Sequence, residues 1–542
     1  MRKFFVLLCL LFPAFSWAQD DVYFKAMQDE LARTQKQLRI PNAPRPYFTA
    51  YWLTKTKGVI YESLWGELTV SSTDVSDDWL LMGRVHMVVG DKKENSHGFL
   101  HSHYYYIPNE VFKIGDGYDA VRLGLWGITD AEYREMVEIF AQKQAFMRQK
   151  NLADKSSDFA PAKQGSFLEP QPQWEELDYA YYEDLTKALS AEAKKYPNLE
   201  EASAGVRVLL SMLWYVNSQG GKMRLNTTWK NVFLQAQIRN KDGIKQRPMA
   251  QWMYTLEELP SKEELLQKAN AFYKWVSEGY SAKKATPYIG PVLFKPAAAQ
   301  EMINSLFVSN VSNTKPLLQE EGEDLSAGGF KDKIGQRVFA QQFTVEDKPL
   351  LREYKGVSLA GFAPIDAEGV PAENLLLVSN GKLLDLPFSR SLTQGRKKSN
   401  GHARVSYRQR PRAGITNLFV TPQDPLSQQE LEQKLLDRCR ELDLEYGYIV
   451  EMMPNAKQDL PNITRVYVKD GRKEQVYGAK LENFTSRSLR DILAAGDDET
   501  IFNFSEDSDP AHAIIVPSLL VDEVELVPTG KHPDRKPFVS KP

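Results

Sequence analysis

Residues 290–307 read GPVLFKPAAAQEMINSLF, and this stretch decides the fold of the second half of the chain. The apolar run TPYIGPVLF, residues 286–294, predicts a short buried strand, because an unbroken apolar segment bounded by turn residues suits a strand covered on both faces. PAAAQEMINSLF predicts a short helix, since Pro296 at the first helical position leaves no amide unpaired. Working outward, LLLVSNGKLLDL at 375–386 sets Asn380-Gly381 between apolar runs, a strong hairpin signal. VYVKDGRKEQVYG at 466–478 uses Asp470-Gly471 in the same way. Between them, Ser427-Gln428-Gln429-Glu430 is a capping box for a helix reaching about Arg440. Cys439 falls on its apolar side with Leu431, Leu435 and Leu442, the setting of a buried, inert thiol.

Upstream, Phe24, Met27, Leu31 and Leu38 share one stripe of an amphipathic helix. Residues 47–89 are rich in aromatic and β-branched side chains and predict several antiparallel strands. Thr129-Asp130-Ala131-Glu132 reads as a capping box opening a helix to about Lys150. The polar, Pro- and Ser-rich residues 151–173 read as a surface linker. A helix from Trp174 to about Lys195, strands at 206–216 and 227–239, and a helix capped by Ser261 follow. The pattern changes near Lys284. The expectation is an α+β fold of two domains, 19–285 and 286–542, with mostly antiparallel sheets flanked by helices and an active-site-like cleft between them.

The 542 residues include 42% hydrophobic and 26% charged, which excludes wholesale disorder and a polytopic membrane protein. Lys plus Arg number 68 against 71 Asp plus Glu, for a net charge of −3, so nothing draws the whole chain toward nucleic acid. The opening MRKFFVLLCLLFPAFSWAQDD has a positive start, a short apolar run and small residues Ser16 and Ala18 at a cleavage point. That is a signal peptide over residues 1–18, placing the mature protein in the periplasm or outside the cell. The apolar run is too short to span a bilayer. Removal of Cys9 would leave Cys439 alone, unable to form an internal disulfide.

Several segments, in order, resemble the TldD/PmbA (TldD/TldE) family, regarded as metallopeptidases. Residues 290–307 are similar to the family's strand and motif helix. Asp366-x-x-Gly369-x-Pro371 resembles its D-x-x-G-x-P hairpin, and Asn400-Gly401-x-x-Arg404 its N-G-x-x-R segment. GAKLENFTSRSLRDIL at 478–493 and PSLLVDEVEL at 517–526 resemble its last strands. LLSMLWYVNSQGGK at 209–222 resembles a first-half strand ending in a Ser-x-Gly turn. Active members carry H-E-x-x-x-H and a later Cys as metal ligands, the Glu acting as general base. Here Gln300, Glu301 and Ser305 occupy that motif, and the Cys is missing. An amide and an alcohol are poor donors beside imidazole or thiolate. The resemblance therefore implies the metal-free, TldE-like subunit. Its partner would be a metal-bearing TldD-like paralogue, in a heterodimer or higher assembly that degrades unfolded peptides. Asp366, Gly369, Asn400, Gly401, His402 and Arg404 are the candidates for the peptide cleft, where substrate would join as an added strand. No cofactor is expected.

Alternatives read directly from the residues are an active, divergent metallopeptidase and a stand-alone envelope peptide-binding protein. In the first, His97, His101 and His103 would hold zinc or iron, since His101 and His103 share one face of a strand. The basic run 395–412, with Arg396, Lys397, Lys398, Arg404, Arg408, Arg410 and Arg412 around Tyr407, has the composition of a nucleic-acid groove. Export argues against such a partner, and a solvated hairpin is the plainer reading.

Overall fold

The computed structural model describes residues 21–72, 79–100, 112–150, 158–172, 176–256, 258–312, 315, 318–319, 328–393, 395–405, 410–454, 459–505 and 510–530. The signal-peptide segment, His101 and His103 lie outside them. The architecture is α+β.

The first half is built on a ten-stranded sheet. Its centre is made of β1 (Pro46–Leu64), β2 (Leu80–Val89), β3 (Leu199–Asn217) and β4 (Trp229–Arg239), in the order β4-β3-β1-β2 and antiparallel throughout. Alternation along the strands sorts side chains to two faces. On one face Tyr51, Leu53, Val85 and Trp214 pack under α1 (Val22–Gln37) and α2 (Tyr118–Lys150). Further along the same face, Val59, Val206 and Val232 pack under α3 (Tyr179–Ala191) and α4 (Lys262–Glu278). The opposite face carries Phe48, Ala50, Trp52, Val88 and Tyr215, and meets Ile365 from the second half.

Three local expectations change. The long helix starts at Tyr118 rather than at Thr129. Thr129 sits inside it, its hydroxyl donating to the Leu125 carbonyl, which meets the hydroxyl's need without a helix start. Val121 and Leu125 extend the buried stripe upstream and hold that extra length on the sheet. The next helix begins at Tyr179, where the Asp178 carboxylate accepts from the Tyr181 amide. Within the stretch read as a surface linker, Phe159 is fully buried and Ser166–Leu168 pairs in parallel with Lys222–Arg224. Its scattered aromatic residues are what draw it inward.

The second half has an eight-stranded and a six-stranded sheet. In the first of these, β5 (Tyr288–Phe294) lies between β9 (Tyr446–Val450), parallel, and β12 (Leu519–Pro528), antiparallel. The second contains β6 (Phe343–Asp347), β7 (Leu375–Ser379), β8 (Asn417–Pro422) and, beside it, β11 (His512–Val516). The strand after β9, β10, is Ile463–Tyr467. The core between the two sheets takes in Val292, Phe294, Met302, Phe307, Leu377, Val420 and Ile514. The helix α5 (Pro296–Ile303) opens at Pro296 and passes into a π turn at Asn304–Val308. On the far face, Leu293 and Ile449 pack under α6 (Gln428–Glu441) with Leu431, Leu435 and Cys439. Burial pushes the Cys439 thiol up to about 11. The Asn380-Gly381 hairpin and the Ser427 capping box are present, with Asn380 at φ 49° and Gly381 at φ 73°. Among the described residues, no helix is long and apolar enough to cross a membrane.

Phe307 packs at 6.0 Å from the Phe330 ring and 5.8 Å from the Phe339 ring, fully buried. Phe307→Ala should cost about 3–5 kcal/mol in urea denaturation, because the close-packed layer between the sheets cannot collapse into the gap. A loss below about 1 kcal/mol would contradict this placement.

Candidate functional site

The candidate cleft residues come together where the second half meets the free face of the first sheet. Asp366 organises them. Its Oδ1 accepts from the amides of Glu368 and Val370, both at 2.9 Å, and its Oδ2 accepts from the Ala403 amide at 3.0 Å. The first two bonds close a tight turn, and the third staples it to the Asn400 segment. Gly369 makes the turn possible at φ 82°, and a Cβ there would sit 2.1 Å from Gln164 Oε1. Gly401 has φ 75°, and a Cβ would meet the Pro371 carbonyl oxygen at 2.3 Å.

The remaining candidates are turned inward. The Asn400 amide bridges the Phe388 amide and the Leu386 carbonyl. His402 is fully buried, with Nδ1 donating to the Asn400 carbonyl at 2.9 Å and Nε2 at 3.3 Å from Asp347 Oδ2. Arg404 donates to the Ala511 carbonyl at 2.6 Å. Six residues expected to line a cleft thus form a hydrogen-bonded frame, with most polar atoms engaged internally. Burial raises the Asp366 carboxyl despite its three amide donors, and burial together with Asp366 raises Glu368 further.

Beside this frame lies a polar cluster that the motifs did not disclose. Arg390 is fully buried; its amide donates to Glu368 Oε2 at 2.7 Å and its Nε to the Ala160 carbonyl at 2.6 Å. Its guanidinium stacks 3.9 Å from the Phe159 ring centre. Across from it, β2 presents Arg84 and His86 on the free face, with Glu132 of α2 and Arg410 nearby; Arg410 Nη2 is 3.8 Å from Glu132 Oε1. A signal was there to read: Arg84-x-His86 puts two polar residues on one face of the otherwise apolar strand LLMGRVHMVV.

The motif residues sit elsewhere, on α5 and its π turn. Gln300 Nε2 donates to the Ala297 carbonyl at 3.2 Å, and the Ser305 hydroxyl donates to Glu301 Oε1 at 2.6 Å. α5 packs against β11, which carries His512. An amide oxygen, an alcohol and a carboxylate already bonded to that alcohol do not suit a zinc-like ion. Among the described residues, no group of three or more His, Cys, Asp or Glu is arranged to hold a metal. His97 is buried, its ring 6.1 Å from that of His86, and burial holds it down to about 3. Most described members of the basic run are paired or buried. Arg396 bonds Asp385, Lys398 bonds Glu373 at 2.7 Å, and Arg404 and Arg410 point inward. Tyr407 and Arg408 lie outside the described residues.

Residues 288–527 match the family described as the PmbA/TldA metallopeptidase C-terminal domain. Residues 288–527 thus form a C-terminal domain of the PmbA/TldD metallopeptidase family. The fold is similar to that of a Thermotoga maritima protein described as a modulator of a DNA gyrase, at 15% identity and a TM-score of 0.60, covering 93% of this chain and 100% of that one. TldE from Thermococcus kodakarensis gives 14% identity and 0.60 over 93% and 100% of the two chains. A Bacteroides thetaiotaomicron protein, also described as a modulator of DNA gyrase, gives 14% and 0.60 over 94% and 99%. No curated protein matches by sequence. At these identities the likeness concerns the fold, and it takes in the first half as well.

Two outcomes test this geometry. Gly401→Ala should destabilise the chain by about 1–3 kcal/mol, since both the left-handed backbone and the Pro371 carbonyl oppose a Cβ; an unchanged thermal midpoint would refute the stapled arrangement. Burial pushes Glu132 up to about 7 from an ordinary 4.5. A carboxyl raised by folding favours the native state at low pH, and that contribution fades as pH climbs through the folded value. Between pH 5 and pH 8, the wild type should therefore lose on the order of 1–3 kcal/mol more stability than Glu132→Gln. Parallel denaturation curves for the two proteins at both pH values would contradict it.

Proposed function

We propose that this chain is an exported, non-catalytic, TldE-like subunit of a peptide-degrading metallopeptidase complex, paired with a metal-bearing TldD-like paralogue. The observation that carries this reading is the chemistry of α5. Gln300 and Ser305 stand where the resemblance places two imidazole ligands, and both side chains bond within their own helix. Family membership and the shared fold with TldE are consistent with such a role. In the complex, the frame around Asp366 and Asn400 would act as a rigid wall of the chamber and position a nearby sheet edge for the peptide, rather than contact substrate through its own buried polar atoms. Export rests on residues 1–18, and N-terminal sequencing of the mature protein should begin at Gln19.

The decisive experiment combines the purified chain with a paralogue carrying H-E-x-x-x-H. They should co-elute on size exclusion, and hydrolysis of an unfolded peptide should need both. Glu301→Gln in this chain should leave turnover by the pair unchanged; a large loss would overturn the non-catalytic assignment. Near-stoichiometric zinc or iron in the isolated chain would favour the divergent metallopeptidase instead. Full peptide binding with no association would favour the stand-alone binding protein.

A further inference from the structure

His86 is fully buried, and neither of its ring nitrogens has a hydrogen-bond partner. It sits among aromatic rings: Phe48 at 5.8 Å, Phe159 at 6.2 Å and Trp52 at 6.3 Å. Outside this aromatic collar lie three guanidiniums. Arg390 stacks on Phe159 and Phe48, and Arg84 lies 5.4 Å from the Trp52 ring centre. Arg410 approaches from the basic run, and all three arginines act electrostatically on His86. The edges of two of these planes are unspent. Arg390 Nη1 and Nη2 have no hydrogen-bond partner, nor do Arg410 Nε and Nη2. Leaving such a donor buried and unpaired is costly, the more so when it is charged, so a fold keeps several in one place only where something else meets them.

We propose that Arg390 and Arg410, backed by Arg84 and His86, form a buried anion site that takes a carboxylate group. A guanidinium stacked on an aromatic face presents its N–H edge in the fork that a carboxylate fits bidentately. The facing protein carboxylates do not fill this role. Glu132 leaves 3.8 Å to Arg410, and Glu368 Oε1 makes no hydrogen bond. Burial raises both acids, so the three cations are incompletely balanced near neutral pH, and a protonated Glu132 becomes a further donor. A planar monoanion suits this balance better than phosphate, whose second charge would face Glu132 and Glu368. The carboxylate can come from a small organic acid or from the C-terminus of a peptide. The site requires no partner subunit, so it is independent of the reading above.

Isothermal titration of the isolated mature chain tests this with four probes: acetate, N-acetyl-alanyl-alanine, the same dipeptide as its C-terminal amide, and inorganic phosphate. Saturable binding of a carboxylate probe is expected, with no binding of the amide. Tighter binding of acetate assigns a small acid, and tighter binding of the dipeptide acid assigns a peptide terminus. Arg390→Lys, which keeps charge but not the fork, and Arg410→Gln should each weaken that binding at least about tenfold. If Arg390→Lys fails to fold, Arg410→Gln decides alone. No saturable heat with either carboxylate, equal binding of acid and amide, tighter binding of phosphate, or affinity unmoved by the variants would overturn the proposal.

Discussion

The Asp366 carboxylate is a small group with an outsized structural task. It lies in a region nearly sealed from water, where an ionised carboxyl is expensive unless hydrogen bonds surround it. Three backbone amides do so, and they belong to two separate stretches of chain. The 366–371 turn and the 400–404 segment are thereby fixed as one unit. That unit presses Gly369 against Gln164 and Ile365 against Gly165 of the first half. The Gly165 amide donates to the Gly369 carbonyl at 2.9 Å, and the Ala160 amide to the Arg390 carbonyl at 2.8 Å. The two halves therefore meet through backbone hydrogen bonds as well as through side-chain packing.

Much of the local architecture could be read from single residues because local chemistry governs it. Asn380-Gly381, Ser261, Ser427 and Pro296 each impose a turn or a helix end regardless of surroundings. Thr129 misleads because a threonine before an acidic residue suits a helix start and a helix interior alike, and the packing of Val121 and Leu125 settles which. Phe159 lies in a stretch whose average polarity hides its aromatic residues; the partners that bury it, Phe48 of the first sheet and Arg390 of the second half, are both remote in sequence. Family likeness points to Asp366 and to the 400–404 segment as cleft residues, but not to the bond between Asp366 and the Ala403 amide. Composition alone contains no trace of it, because a carboxylate bonded to distant amides leaves no periodic signature.

The chain thus holds two polar sets of different character. On α5 and its π turn, Gln300, Glu301 and Ser305 hydrogen-bond locally, at helical spacing, and use up much of their capacity there. At the junction, Arg84, His86, Glu132, Arg390 and Arg410 come from distant parts of the sequence, with several polar atoms unsatisfied. The first set is where likeness to the family directs attention. The second is where buried charge gathers, and its members, though drawn from both halves, are shielded by the first-half rings of Phe48, Trp52 and Phe159.

The bond from Arg390 Nε to the Ala160 carbonyl spans 230 positions. A ribosome delivers the first sheet long before the segment that covers it. Until residues 362–390 emerge, Phe48, Trp52 and Tyr215 face solvent on a broad twisted surface, and closing so large a loop is slow. Between completion of the first sheet at Tyr254 and the synthesis of Arg390, that face has nothing to cover it. Severing it near residue 285 would yield two sticky fragments in place of two independent modules.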